Sequence, residues 1–219
     1  MLEEKQMTHL KRILIENATL VEGMIAKSVK GLRDADAAVL HTVIEDDEPK
    51  ANAYEIDIDE LCVTTIARYQ PNTKALRTIL MVLNISSGLE RMADHAVTIA
   101  ESGLFLIEQP LVKPLLDIPR MGEITIGMLK DAITAFIDEN PELALKVCER
   151  DSAVDGLRNQ IARELITFMI ADPSTIERAL QLSKIASNLE RIADLATNIG
   201  EDVIYMVKGT VIKHHKDQG

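Results

Sequence analysis

Pairs of carboxylates four residues apart recur along this 219-residue chain, and one pair occurs twice in the same sequence context. Glu90 and Asp94 lie in Leu-Glu-Arg-Met-Ala-Asp, and Glu190 and Asp194 lie in Leu-Glu-Arg-Ile-Ala-Asp, 100 residues later. Residues four apart are neighbours on a helix, so the two negative charges of each pair repel. A hard cation between them would remove this repulsion, because oxygen ligands suit Mg, Mn and Fe. The repeated pairs therefore predict metal binding in both copies.

Two ligands on one helix are too few for a tight site, so further acids are expected to contribute. The additional candidate ligands are Glu101, Glu201, Asp151, Asp155, Glu48 and Asn52. Glu101 and Glu201 continue the faces of the two repeated pairs, while Asp151 and Asp155 begin another predicted helix. Glu48 and Asn52 are their aligned positions in the first half. We expect each half to join the acids of its last helix to those of its middle helix. The metal is Fe, Mn, Mg or Zn, with Zn the least favoured by oxygen ligands.

A solvated helix face is the simpler explanation of any single acidic pair. Glu55 and Asp59 have the same spacing, as an example of such a pair. The repeated string is different, because core packing explains its Leu, Ala and Ile but not its surface Glu, Arg and Asp. We therefore interpret the repeated acids as functional.

Apolar residues at helical spacing predict an all-α fold of two pseudo-symmetric three-helix bundles, produced by an internal duplication. The predicted helices cover 8–41, 49–69, 72–103, 118–138 with a short continuation through 148, 151–171 and 174–208, the last closed by Gly209. Prolines between 108 and 119 divide the chain into domains 1–112 and 113–219. On the repeated helices, Leu89 and Leu189 lie on the core face, and the acids lie beside that face.

Composition excludes several classes of function. The net charge of −11 disfavours nucleic acid and anionic membrane surfaces as partners. An acidic N-terminus and the lack of long apolar runs predict a cytoplasmic protein that reaches a membrane only through partners. Cys62 and Cys148 are expected to be reduced core residues, and His95 is expected on the surface. No catalytic motif is visible, so the sequence does not predict an enzyme.

An ordered set of motifs along the chain resembles the PhoU family. The motifs are Asn52-Ala-Tyr-Glu-Ile-Asp-Ile-Asp-Glu-Leu-Cys62, Gln70-Pro71, Leu76-Arg77, the two Leu-Glu-Arg strings, Asp172-Pro173, Thr197-Asn198-Ile199 and Ile204-Tyr205-Met206-Val207-Lys208-Gly209. The resemblance implies two pseudo-symmetric three-helix bundles with metal clusters on the acidic motifs, which map to Glu90/Asp94, Glu190/Asp194 and Asp151/Asp155. Asn52 departs from the acidic pattern.

The same resemblance implies a function in phosphate signalling. Such a protein would be a homodimer linking the ATPase of a phosphate ABC transporter to a sensor histidine kinase, and would repress the starvation response when phosphate is plentiful. Two alternatives stay open from the residues: an accessory regulator of a different phosphate or metal transporter, and an enzyme with a multinuclear metal-carboxylate site. The second would need a general acid or base near the metal.

Overall fold

A computed structural model describes the backbone of residues 2–208 and the side chains of residues 5–208. The helices are α1 (Leu2–Asp34), α2 (Ala37–Thr42), α3 (Glu48–Tyr69), α4 (Thr73–Ile107), α5 (Asp117–Ile137), α6 (Pro141–Ala171) and α7 (Ile176–Lys208). A π-helical turn, Val43–Asp47, joins α2 to α3, and a 3-10 turn, Pro173–Thr175, precedes α7. The prediction of an all-α fold is confirmed. Gly209, the predicted end signal of the last helix, lies outside the described residues.

The first predicted helix, which extended to residue 41, is wrong at its end. α1 stops at Asp34 because Ala35 adopts the left-handed conformation, with φ of 52°. Asp36 then caps α2 by accepting a hydrogen bond from the backbone N–H of Val39 at 3.2 Å. Alanine is not a residue that signals a turn, so the apolar pattern of the sequence predicted one helix across the break.

The same turn occurs in the second half, where Glu139 has φ of 50° and Asn140 caps α6. The Asn140 side chain accepts from the backbone N–H of Glu142 and of Leu143 at 3.1 and 3.0 Å. The predicted break between 148 and 151 is wrong, because α6 is one continuous helix. Its polar stretch there lies between the buried residues Val147 and Val154 and interrupts only the exposed face.

Four long helices form the centre of the molecule. α1 and α4 of the first half pack against α5 and α7 of the second, while α3 covers the first pair and α6 covers the second. α1 and α4 run parallel, and the Ser28 hydroxyl donates to the carbonyl oxygen of Ala96 at 2.8 Å. Both halves therefore share one hydrophobic core, which includes Leu89 and Leu189. The predicted division between residues 112 and 113 falls between α4 and α5 and stays a prediction.

α4 and α7 run antiparallel to each other. Lys74, at the start of α4, pairs with Glu139, which follows α5, at 3.1 Å. Because α5 and α7 point the same way in the second bundle, the start of α4 lies at the C-terminal end of α7. At the other end, Arg178 near the start of α7 donates to the carbonyl oxygen of Pro110, beyond α4, at 2.8 Å.

Two close approaches hold the outer segments against the centre. A Cβ at Gly200 of α7 would lie 3.0 Å from the carbonyl oxygen of Ala144 of α6, so glycine lets these helices approach closely. In the first half, the fully buried Leu40 of α2 packs between Gly31 and Gly103. Across residues 2–208, no helix combines the length and apolar character needed to cross a bilayer.

Candidate metal centre

Carboxylates of α3 and α4 face each other along the groove between these helices. We name Glu55, Asp59, Glu90 and Asp94 the first acidic seam. Burial raises the pKa of Glu90, and Asp94 and Glu55 raise it further. Burial also raises the pKa of Glu55, with Asp59 and Asp94 adding to the effect. Ionised Asp59 and Asp94 therefore make Glu55 harder to ionise, and ionised Asp94 and Glu55 do the same to Glu90.

The first acidic seam adds Glu55 and Asp59 to the predicted ligand set, since Glu55 raises the pKa of Glu90. Glu48 and Asn52 lie about two turns and one turn earlier on α3, and they stay predicted ligands. In the register that places Asp155 level with Asp194, the aligned Asn52 is level with Asp94. The sequence signal for Glu55 is its four-residue spacing to Asp59, which the solvated-face explanation also fits.

The second half arranges its acids around Cys148. The Thr197 hydroxyl of α7 donates to a carboxylate oxygen of Asp151 of α6 at 3.4 Å. Burial raises the pKa of Cys148 to about 11, and Glu201 and Asp151 contribute to the rise. Asp155 is one turn further along α6 than Asp151, which places it level with Asp194 on the antiparallel α7. We name Asp151, Asp155, Asp194 and Glu201 the second acidic seam.

The predicted position of these acids beside the core is confirmed. Glu90, Glu190, Asp151, Asp155, Glu201 and Glu48 are half-buried, whereas Asp94, Asp194, Glu101 and Asn52 are exposed. The core face of the repeated string, including Leu89 and Leu189, is fully buried. Among residues 5–208, no three His, Cys, Asp or Glu side chains converge tightly enough to enclose a metal ion. The seams are therefore open rows of oxygen donors.

The groove between α6 and α7 differs from the groove between α3 and α4 in the charge of one side chain. The position equivalent to Glu55 is Arg158, by the 103-residue offset that relates α3 to α6. By the antiparallel register, Arg158 lies level with Glu190. A positive side chain thus replaces a carboxylate at this position of the second groove.

The expectation that His95 is a surface residue is wrong. Its ring is half-buried between α4 and α7, and its Nδ1 lies 2.8 Å from Oδ1 of Asn188. The amide nitrogen of Asn188 donates to the carbonyl oxygen of Lys184 at 2.8 Å, so Oδ1 accepts and His95 donates. Burial lowers the pKa of His95, and Arg191 and Arg91 lower it further, against the opposing effect of the Asn188 hydrogen bond. This bond joins the two halves.

These features define a class: all-helical proteins of two related three-helix bundles, with rows of carboxylates along the grooves between helices. The family model described as "PhoU domain" matches residues 14–103 and 118–203. The chain belongs to the PhoU family.

Several relatives match over almost the whole chain. The phosphate-specific transport system accessory protein PhoU homolog of Aquifex aeolicus is 39% identical, over 98% of this chain and 98% of its own length. The corresponding homolog 2 of Thermotoga maritima is 35% identical, over 100% of this chain and 92% of its own. These relatives are accessory proteins, and the chain is not an enzyme, as predicted.

Solved structures agree with the fold. The crystal structure of PhoU from Pseudomonas aeruginosa has a TM-score of 0.90 at 34% identity, covering 94% of this chain and 99% of that one. The phosphate transport system regulatory protein PhoU from Streptococcus pneumoniae has a TM-score of 0.87 at 25% identity, covering 96% and 99%. The prediction of two pseudo-symmetric bundles from an internal duplication is confirmed.

Proposed function

We propose that this chain is an accessory protein and negative regulator of a phosphate-specific transport system. It binds metal and acts as an adaptor between the ATPase of a phosphate ABC transporter and a sensor histidine kinase. The observation that carries the proposal is the similarity to phosphate-specific accessory proteins along both halves of the chain. A relative that matched only one of the two bundles would support a common domain but not a common function.

The acidic seams are the proposed metal-binding part of this function. In the first half, the proposed ligands are the first acidic seam, extended by Glu48, Asn52 and Glu101. In the second half, they are the second acidic seam together with Glu190. The donor set fits a hard cation, because the negative side chains that raise the pKa of Glu55 and Glu90 are stabilised when a positive charge lies among them. Open rows suit a cation that keeps several water ligands, as Mg²⁺ does, or a multinuclear Fe or Mn group shared among several carboxylates.

The adaptor role is supported by the distribution of charge. A chain of net charge −11 with carboxylates along two outer grooves offers basic surfaces on partner proteins a complementary face. Bound metal would reduce that charge and change which face is presented. We further propose that the protein is cytoplasmic, forms a homodimer and reaches the membrane only through its partners.

The regulatory role is tested in cells that lack the gene. With phosphate plentiful, a reporter driven by a phosphate-starvation promoter should become active in the deletion strain and be repressed again by the wild-type chain. Normal repression in the deletion strain would contradict the role. Affinity capture of the tagged chain from the same cells should recover the transporter ATPase or the kinase. Capture of a different transporter instead would favour the alternative regulator.

Metal binding is tested separately on purified protein. Wild-type chain loaded with Mn²⁺ or Fe and dialysed should retain metal, measured by plasma mass spectrometry. Combined Glu90→Gln, Asp94→Asn, Glu190→Gln and Asp194→Asn substitutions should remove most of it while the helical circular dichroism is kept. Glu60→Gln, an exposed residue of α3 outside both seams, is the matched control. Unchanged metal content in the fourfold variant would show that the ligands are wrong without touching the regulatory role.

A further inference from the structure

The two halves meet along α4 and α7, and one hydrogen bond locates the axis that relates them. His95 of α4 pairs with Asn188 of α7. Under the 100-residue repeat, the equivalent of this pair is Leu195 with Gly88. Because α4 and α7 are antiparallel, the axis passes midway between the two pairs. It crosses α4 beside residue 91 and α7 beside residue 191.

Two arginines flank this axis on its outer side. Arg91 and Arg191 are exposed, whereas the next residues, Met92 and Ile192, are fully buried. Arg91 lies four residues before His95 and Arg191 three residues after Asn188, so each arginine is one helical turn from the 2.8 Å bond between these two side chains. Two positive side chains from different halves of the chain are therefore brought to one place on the surface, and both lower the pKa of His95.

The two arginines lie near carboxylates, and Arg91 lowers the pKa of Glu90, but neither arginine forms a close ion pair with a described side chain. Among the described side chains, no ion pair joins either Arg91 or Arg191 to a carboxylate. Asp94, three residues after Arg91, raises the pKa of His95 and that of Glu55. Like charges held side by side are unfavourable without a counter-charge. Core packing does not explain an exposed arginine at the same position of both repeats.

We propose that Arg91 and Arg191 together bind one phosphate-type dianion on the axis between α4 and α7. A guanidinium group presents a planar fork of donors that fits two oxygens of a phosphate. Two converging forks match four oxygens and two negative charges, whereas a single carboxylate occupies only one fork.

This site is separate from the acidic seams and does not depend on the proposed metal binding. In the first half, Arg91 is the next residue after Glu90 and points about 100° away from it around the helix. A metal in the seam and an anion at the axis would therefore occupy different surfaces of α4. The test accordingly uses metal-free protein, which excludes a phosphate that merely bridges bound metal ions.

Isothermal titration calorimetry of the full chain, stripped with EDTA, should show binding of one inorganic phosphate per chain. Arg91→Gln and Arg191→Gln should each weaken binding at least about tenfold, since a hydrogen bond to a charged group is lost. The Arg91→Lys variant keeps the charge but not the fork, so it should bind with intermediate affinity. Arg158→Gln, an exposed arginine of α6 away from the axis, should bind as wild type.

Competing ligands distinguish the source of the phosphate group. Phenyl phosphate that displaces inorganic phosphate would assign the site to a phosphomonoester, and failure to displace it would assign the site to the free anion. Equal competition by acetate would overturn the proposal, as would absence of binding by wild-type chain at millimolar phosphate. Full affinity in the double Arg91→Gln, Arg191→Gln variant, with unchanged helical content, would also overturn it. The fourfold seam variant should still bind phosphate, so failure of the metal proposal leaves this one standing.

Discussion

Glu55 of α3 raises the pKa of Glu90 of α4, although 35 residues separate them in the chain. The two side chains face each other across the groove of the first bundle, and Asp94 raises the pKa of both. The metal-free first acidic seam is therefore a place where ionisation opposes folding. A bound cation would reverse the sign of that contribution.

Neutralising Glu90 should stabilise the metal-free protein. Glu90→Gln removes the repulsion by Asp94 and Glu55, so the free energy of unfolding at pH 7 should rise by about 0.2–0.5 kcal/mol. Denaturant unfolding in EDTA measures this, with Glu60→Gln as the control. A loss of stability in Glu90→Gln, relative to that control, would contradict the arrangement.

The pH dependence of unfolding should have a defined sign. The folded pKa values of Glu55 and Glu90 are raised above the usual 4.5, so the folded state binds more protons than the unfolded state. Their contribution therefore lowers stability as pH rises from about 4.5 through the raised folded values, and it is absent at lower pH. In Glu90→Gln this decline should be shallower. Parallel curves for the variant and the wild type would contradict the pKa assignment.

The two thiols should react slowly in the folded chain. Burial raises the pKa of Cys62 to about 12 and that of Cys148 to about 11, so little thiolate exists at pH 8. Glu201→Gln should lower the pKa of Cys148 and speed its alkylation, followed by mass spectrometry of peptides. Cys62 serves as the internal reference, because Glu201 is not among the groups that raise its pKa. Equal acceleration at both cysteines would indicate general loosening instead.

Gly200→Ala should separate α6 from α7. The added Cβ would meet the carbonyl oxygen of Ala144 at 3.0 Å, and backbone cannot rotate away as a side chain can. We expect a loss of about 1–3 kcal/mol, as for other overpacked sites. Gly156→Ala, where a Cβ meets nothing within 4 Å, should instead gain up to about 1 kcal/mol. Equal stability of the two variants would show that the contact is soft.

Leu40 should be the most sensitive residue of α2. It is fully buried between Gly31 and Gly103, so Leu40→Ala leaves a cavity and should cost about 2–5 kcal/mol. The control is Leu80→Ala, because Leu80 is 49% exposed and its truncation should stay within about 0.5 kcal/mol. Thermal unfolding of both variants measures the difference. A small effect at Leu40 would mean that α2 is not held by this side chain.

Periodicity predicted the helices well, because one buried face repeats every 3.6 residues whatever the neighbours are. The turn at Asn140 was also predictable, since Asn-Pro marks a helix start. The equivalent turn at Ala35 was not, because a left-handed alanine has no local signature. Its conformation is imposed by the packing of the segments on either side.

The seams were predictable in kind but not in register. The carboxylates of α4 follow from the repeated string, whereas their partner on α3 depends on how far two helices slide past each other. Nothing within either helix specifies that displacement, so the sequence alone did not single out Glu55 as the neighbour of Glu90. His95 was misplaced for the same reason, since Asn188 lies in the other half of the chain.

The π-helical turn Val43–Asp47 accounts for a difference of one residue in length between the two halves. The caps Asp36 and Asn140 are 104 residues apart, whereas the 103-residue offset that relates α3 to α6 aligns Tyr54 with Leu157. The first half therefore has one residue more than the second between its cap and the middle of α3. A π turn holds one residue more than an α turn, so it accommodates the extra residue. In an unbroken α-helix the extra residue would rotate α3 by about 100° and turn Glu55 away from α4.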